Sequence, residues 1–154
     1  MPDLTIRAEP FDSYDARRLI AALDASLAEV YPPEQRFGPN LQPAHLEAGR
    51  GTFLVARHGG RAVGCGAVRV LDLGTAEVKR MYVDPDERGR GVGKAVLDSL
   101  EAAAVQLGVH RLVLETGIYQ HAAIALYRRA DFTPVDCWGE YASSPTSICF
   151  EKTL

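Results

Sequence analysis

Apolar and polar positions along this chain follow two periods. Leu4-Thr5-Ile6-Arg7-Ala8 alternates as a half-buried first strand does. Ala16, Leu19, Ile20, Leu23, Leu27 and Val30 then recur at helical spacing, with Asp12 or Ser13 available as the cap and Pro32-Pro33 as the stop. From Glu34 to Gly51 the chain is polar and broken by Gly38, Pro39, Pro43 and Gly49. That stretch predicts at most a short helix near Ala44–Ala48, and it reads equally as a plain connection or as a lid on the substrate side. Phe53–Arg57 is a strand, His58-Gly59-Gly60-Arg61 a tight turn with two positive-φ positions, and Ala62–Leu71 a second strand. Gly64 and Gly66 mark a bulge or a close backbone approach in that second strand. Leu73-Gly74 turns the chain into a third strand at Glu77–Val83, completing an antiparallel meander.

Val92, Val96, Leu100, Ala103 and Leu107 form one apolar helical face, and Gly108 supplies the residue that closes the helix. Leu112–Glu115 is a short buried strand, and His121–Arg129 a further helix. Thr133-Pro134-Val135 and Ser147–Glu151 close the sheet. The pattern predicts an α/β fold in a single domain over 1–154, with roughly six to seven strands, the meander among them antiparallel, and about four helices. Alternation along the third strand of the meander places Glu77, Lys79, Met81 and Val83 on one face, and Val78, Arg80 and Tyr82 on the other.

Charge narrows the function classes. A net charge of −3 gives no electrostatic support for a nucleic-acid or membrane-surface role. No apolar run approaches transmembrane length, and Met1-Pro2-Asp3-Leu4 lacks a basic region followed by an apolar one, so a cytoplasmic protein is expected. Cys65, Cys137 and Cys149 are odd in number and far apart, with neither a Cys-x-x-Cys pair nor His at ligand spacing. They are expected to behave as small buried hydrophobes or free thiols, with no metal and no disulfide.

The chemistry concentrates at Val83-Asp84-Pro85-Asp86-Glu87-Arg88-Gly89-Arg90-Gly91-Val92-Gly93-Lys94. A strand, a glycine-rich loop and a helix start make an anion site: glycine admits close approach, and the first helical turn offers unpaired N–H groups at the positive end of the dipole. Arg88, Arg90 and Lys94 add charge, so the ligand expected is a phosphate or pyrophosphate. A Walker loop is excluded, because counting back from Gly93-Lys94 gives Arg88 where glycine is needed and Ala95 has no hydroxyl for magnesium. A dinucleotide fingerprint fails as well, ending on Lys94 or Val96 instead of glycine. Arg-x-x-Gly-x-Gly fits, through Arg88, Gly91 and Gly93.

That loop, entered through Met81-Tyr82-Val83-Asp84-Pro85, resembles the acetyl-coenzyme A pyrophosphate loop of the GCN5-related N-acetyltransferase (GNAT) superfamily. A second stretch resembles the rest of the family's cofactor site, approximately Ala-x-x-Leu-Tyr-x-x-x-Gly-Phe, matched here by Ala123, Leu126, Tyr127 and Phe132. Asp131 stands where glycine is usual, at a position wanting positive φ that Asp tolerates better than most residues. The family's Asn before this helix is absent, with Gln120 and His121 in its place. The two motifs cover roughly residues 75–135.

The resemblance implies a mixed, mostly antiparallel twisted sheet of roughly six to seven strands flanked by about four helices, splayed between the strands at 77–83 and 111–115 to admit acetyl-CoA. It implies transfer of the acetyl group to a primary amine of a small molecule, by direct attack on the thioester. The family's contacts would fall on Met81, Tyr82, Val83, Arg88, Gly89, Arg90, Gly91, Val92, Gly93, Lys94, Ala123 and Tyr127, and its oxyanion donor on a backbone N–H near Arg80–Met81. Tyr127 would hydrogen-bond the leaving thiolate. Glu77 would be the base, directly or through water, and Glu115 the second candidate. Among the residues that could line the acceptor pocket are Tyr31, Phe37 and Arg80, together with Arg36, Tyr119, Trp138 and Tyr141. Homodimers are common in the family, although nothing in this sequence shows one. Acetylation of a protein amine, transfer of another acyl group, and an acyl-CoA sensor without turnover stand as alternatives.

Overall fold

The computed structural model of the chain describes residues 3–35 and 41–154. Among these residues seven strands form one sheet: β1 (Leu4–Ala8), β2 (Gly51–His58), β3 (Arg61–Asp72), β4 (Thr75–Val83), β5 (Arg111–Gly117), β6 (Thr133–Val135) and β7 (Ser147–Thr153). Their order is β1-β2-β3-β4-β5-β7-β6, and every neighbouring pair is antiparallel except β4 with β5. The turn between β2 and β3 has Gly59 at φ 58° and Gly60 at φ 85°, as its sequence demands.

Among the described residues there are three α-helices: α1 (Tyr14–Val30), α2 (Val92–Gln106) and α3 (His121–Arg129). The fourth that the sequence suggested near Ala44–Ala48 is a single 3₁₀ turn at Pro43–Leu46. Proline fixes its start and glycines follow it closely, leaving no length for an α-helix. Ser13 caps α1, its hydroxyl accepting from the Ala16 N–H. The apolar face of α2 and residues of α3 bury Leu54, Val68, Val78, Leu112 and Leu114 on one side of the sheet. On the other, α1 sets Ala16 and Leu19 against Phe53, Val55, Cys65 and Ala67.

Two departures from the sequence reading shape the site. Alternation along β4 breaks at Arg80, which has φ 57°. Cys65 pairs with Tyr82 and Ala67 with Lys79, so two residues of β4 oppose Gly66 alone, which is a β-bulge. Met81 and Val83 therefore pack with Val78 on the α2 side, and Tyr82 on the α1 side, whereas strict alternation grouped Met81 and Val83 with Glu77. Gly66 permits this, since a Cβ there would sit 2.8 Å from both Met81 Sδ and Leu100 Cδ1.

Cysteine usage also differs from expectation. Cys65 is a buried free thiol in the α1-side core, but Cys137 and Cys149 are bonded to each other. Pairing of β6 with β7 puts Val135 opposite Cys149, which brings Cys137 within reach; their separation in sequence carries no such signal.

Candidate active site

β4 and β5 are paired only from Thr75–Arg111 to Val78–Leu114. Beyond that point they part, and a cleft of about 490 Å³ opens between them. Its walls are β4 from Glu77 to Met81, β5 from Glu115 to Gly117, Asp24 of α1 and Tyr31 just beyond it, Ala123 and Tyr127 of α3, and Tyr141 and Thr146 from the chain before β7.

Glu77 is only 2% exposed, yet its charge is well compensated. Tyr141 Oη donates to Glu77 Oε2 at 2.9 Å, and Lys79 Nζ donates to Tyr141 Oη at 3.1 Å while lying 3.7 Å from Oε2. Arg69, its cross-strand partner, brings Nε to 3.5 Å from Oε1. Burial pulls the Lys79 ammonium below its ordinary pKa, with Glu77 opposing the shift. Burial and the Glu77 charge together push the Tyr141 phenol upward.

Glu115 stands in a different environment. Ser147 Oγ donates to its Oε2 at 2.6 Å and is itself bonded to Ser144 at 2.8 Å. Among the described residues Glu115 has no salt-bridge partner. Burial raises its pKa above the ordinary 4.5, with the Ser147 hydrogen bond pulling the other way. Tyr127, 5% exposed, packs against Phe132 and Phe150 at 5.8 and 6.3 Å between ring centroids. Burial first, and the Glu115 charge second, raise its phenol pKa, so at neutral pH it is a hydrogen-bond donor.

Tyr31 and Arg80 line the cleft, and Phe37 and Arg36 lie outside the described residues. Arg80 meets Asp24 at 3.3 Å. The Tyr119 N–H donates to Tyr31 Oη at 3.0 Å. A Cβ on Gly117 would fall 2.0 Å from that same oxygen. Gly117→Ala therefore has to displace Tyr31, and chemical denaturation is expected to show a loss of about 1–3 kcal/mol.

At the far end of β4 the loop and the start of α2 form an anion cradle. Gly89 and Gly91 have φ 79° and 82°, which only glycine adopts without strain. Gly91 is the N-cap and has no side chain to occupy the helix start; the first intrahelical bond is Ala95 N–H to the Gly91 carbonyl. The N–H groups of Val92, Gly93 and Lys94 consequently have no partner within the helix. A Cβ on Gly93 would press on Leu126 at 3.2 Å. Val92 contributes backbone only, because its side chain is in the core.

The charged residues of this loop divide into brace and rim. Arg88 Nε donates to the Val83 carbonyl at 3.1 Å and its guanidinium lies 6.0 Å from the Tyr82 ring centroid, so it ties the loop to β4. Arg90 and Lys94 are exposed, beside Glu87 at 3.7 Å and Asp98 at 2.8 Å. Glu87, which sequence reasoning passed over, is buried and accepts from Arg61 Nη2 at 2.7 Å, with His58 Nδ1 at 3.3 Å. It anchors the loop from below. An acidic residue in an exposed-looking loop carries no local signal of that role. Free helix N–H donors, close-approach glycines and rim cations fit a pyrophosphate.

The sheet is thus parted between two strands, with helix-start N–H donors at one end and two carboxylates and a phenol in the cleft. A family model described as acetyltransferase (GNAT) family matches residues 17–132. The IAA acetyltransferase of Azospirillum brasilense is 40% identical over 155 residues, covering 100% of both chains. A crystal structure from Klebsiella pneumoniae, whose name places it among the acyl-CoA N-acyltransferases, superposes with a TM-score of 0.83 at 38% identity, covering 98% of this chain and 97% of that one. A GNAT acetyltransferase from Elizabethkingia anophelis with acetyl-CoA bound shares the fold at a TM-score of 0.69 and 18% identity, over 100% of each chain. The chain belongs to the acetyltransferase (GNAT) family.

Proposed function

We propose that this chain, acting as a single domain, transfers the acetyl group of acetyl-CoA to a primary amine of a small molecule. One observation carries the reading: the cleft at the parting of β4 and β5 gathers Glu77, Glu115 and Tyr127 at one end of a strand whose other end enters the anion cradle. The cradle residues from Arg88 to Lys94 would hold the pyrophosphate, and acetyl-CoA supplies the activated acyl group. In the transfer the amine nitrogen bonds to the thioester carbon, the C–S bond breaks, and the amine proton must leave. The free edge of β4 at the Arg80–Met81 bulge offers a backbone N–H for the developing oxyanion.

Glu115 takes the amine proton in this reading. A carboxylate with a raised pKa and no salt-bridge partner among the described residues is more available to an incoming proton than one already engaged by Lys79, Tyr141 and Arg69. Glu77 with its partners forms the charged floor of the acceptor site. Tyr127 donates to the leaving thiolate; a phenol, at a pKa of about 10 or above, is a weaker acid than a thiol near 8.5, so it stabilises charge and does not transfer the proton outright.

The test is CoA-thiol release across a panel of amino acids, polyamines, aminoglycosides and peptides, with IAA included because the Azospirillum relative is named for it. Turnover with a small amine supports the reading, and tight acetyl-CoA binding without turnover on any member identifies a sensor. Tyr127→Phe should then keep acetyl-CoA affinity while kcat falls by roughly ten- to a thousandfold. An unaltered kcat would make Tyr127 a packing residue.

A further inference from the structure

The segment between β6 and β7 closes the acceptor side of the cleft, and the transfer chemistry above leaves its covalent tie unused. At its far end the Ile118 N–H donates to the Thr146 carbonyl at 2.9 Å, and Thr146 Oγ1 donates to the Gln35 carbonyl at 3.3 Å. At its near end stands the Cys137–Cys149 disulfide, with Cys149 directly across the strand pair from Glu115. The bridge leads through Trp138 into a 3₁₀ turn, Gly139–Ser143, that carries Tyr141 into the cleft. The Trp138 ring stands edge-on to Tyr141 at 5.3 Å.

Tyr141 Oη sits between two opposite charges, accepting from Lys79 and donating to Glu77. Lys79 lies on the same face of the sheet as Glu115, which has no salt-bridge partner among the described residues and feels the Lys79 charge only at a distance. An ammonium released from Tyr141 would be drawn to it. The titratable groups around Glu115 are Lys79 and Glu77 from β4, Tyr31 just after α1, Tyr127 from α3 and Tyr141 from the strap formed by the β6–β7 segment, with the Ser147 hydroxyl from β7. Of these only Lys79 can bring positive charge.

We propose that Tyr141 is a positioning residue that holds Lys79 against Glu77 and away from Glu115, and that the Cys137–Cys149 bond, by pinning the strap, makes this arrangement redox-dependent. The inference rests on the acceptor-cleft reading given above. A dithiol reductant opens the bond in two steps. Its thiolate attacks Cys137, the half-buried sulfur, and its second thiol then closes a cyclic disulfide, so two electrons and two protons pass to the cysteine pair. Reducing compartments keep such pairs open, and oxidising ones keep them closed.

The full chain with and without dithiothreitol tests this. Thiol titration in denaturant should find one free thiol before reduction, Cys65, and three after. Burial pushes Cys65 up to about 12, so it stays silent while the protein is folded. Trp138 is the one tryptophan of the chain, so emission reports the strap directly. Reduction should shift its emission to the red and raise acrylamide quenching about twofold, with calorimetric acetyl-CoA affinity unchanged. For the best amine of the panel, kcat should fall about tenfold on reduction, and equally in oxidised Tyr141→Phe, where Trp138 emission stays at the parent value.

In both cases the acid limb of kcat/KM should move to lower pH, because an ammonium beside Glu115 favours its charged form; a purely structural role would not move that limb. Three thiols before reduction, unchanged Trp138 emission on reduction, or a parent-like pH profile in Tyr141→Phe would overturn the proposal. Should no panel amine accept acetyl, the functional reading fails on its own, while thiol count and Trp138 emission still decide whether the bond pins the strap.

Discussion

Gly91→Val weakens acetyl-CoA in calorimetric titration by more than tenfold, over ~1.4 kcal/mol. Two effects of the substitution have to be separated. A valine at φ 82° is strained wherever it occurs, at about 1–2 kcal/mol, and the strain lowers stability. It also places a branched side chain at the N-cap, in front of the unpaired N–H groups of Val92, Gly93 and Lys94. Gly108→Val is the matched control: Gly108 has φ 80° and open space around its Cβ position, but closes the other end of α2. Both variants should lose stability to a similar extent, and only Gly91→Val should lose the ligand. Arg88→Ala should do less to affinity than Gly91→Val, because it removes one exposed charge and one tie of the loop to β4 while leaving the row of backbone donors unobstructed. A folded Gly91→Val protein with parental affinity would remove the anion cradle from the site.

What could be read from the sequence was local. Gly59-Gly60 demanded its turn, Asp12 or Ser13 offered the cap that Ser13 makes, and Asp131 stood where positive φ was wanted, found at 70°. The cradle was legible because glycine spacing, helix start and rim charge all lie within one short stretch. What escaped was set by contacts between strands. Arg80 adopts φ 57° with no glycine to announce it, and that one residue sends Met81 and Val83 to the face opposite Glu77. Cys137 and Cys149 gave no spacing signal because their meeting depends on the pairing of β6 with β7. Glu77 and Glu115 were both picked as candidates, and only their partners separate them. Those partners, Arg69, Tyr141 and Ser147, come from β3, the strap and β7, far away in the chain.

Those partners give the two glutamates different expected pH signatures. The acceptor reacts as the free amine, so its proton has to go to a base or be absent already. Glu115 carries a pKa raised by burial, and below that raised value its carboxyl is protonated and cannot accept. The acid limb of kcat/KM should therefore lie above the ordinary carboxylate range and fall away as pH drops through it. Glu115→Gln keeps the shape and can still bond Ser147, but removes the base. Its kcat/KM should drop by about a hundredfold near neutrality and recover in part at alkaline pH, where the amine is already neutral. Glu77→Gln takes charge from a buried cluster that holds Lys79 and Arg69, so its first effect is on stability, of roughly 3–5 kcal/mol. In the folded fraction the limb should persist but move to lower pH, because the Glu77 charge is gone and Lys79 is free to favour the Glu115 carboxylate. Profiles of the two variants with one verified acceptor decide the matter. A Glu115→Gln profile that overlays the parent, beside a Glu77→Gln variant that folds and has lost its limb, would move the base to Glu77 and the water relay it could anchor.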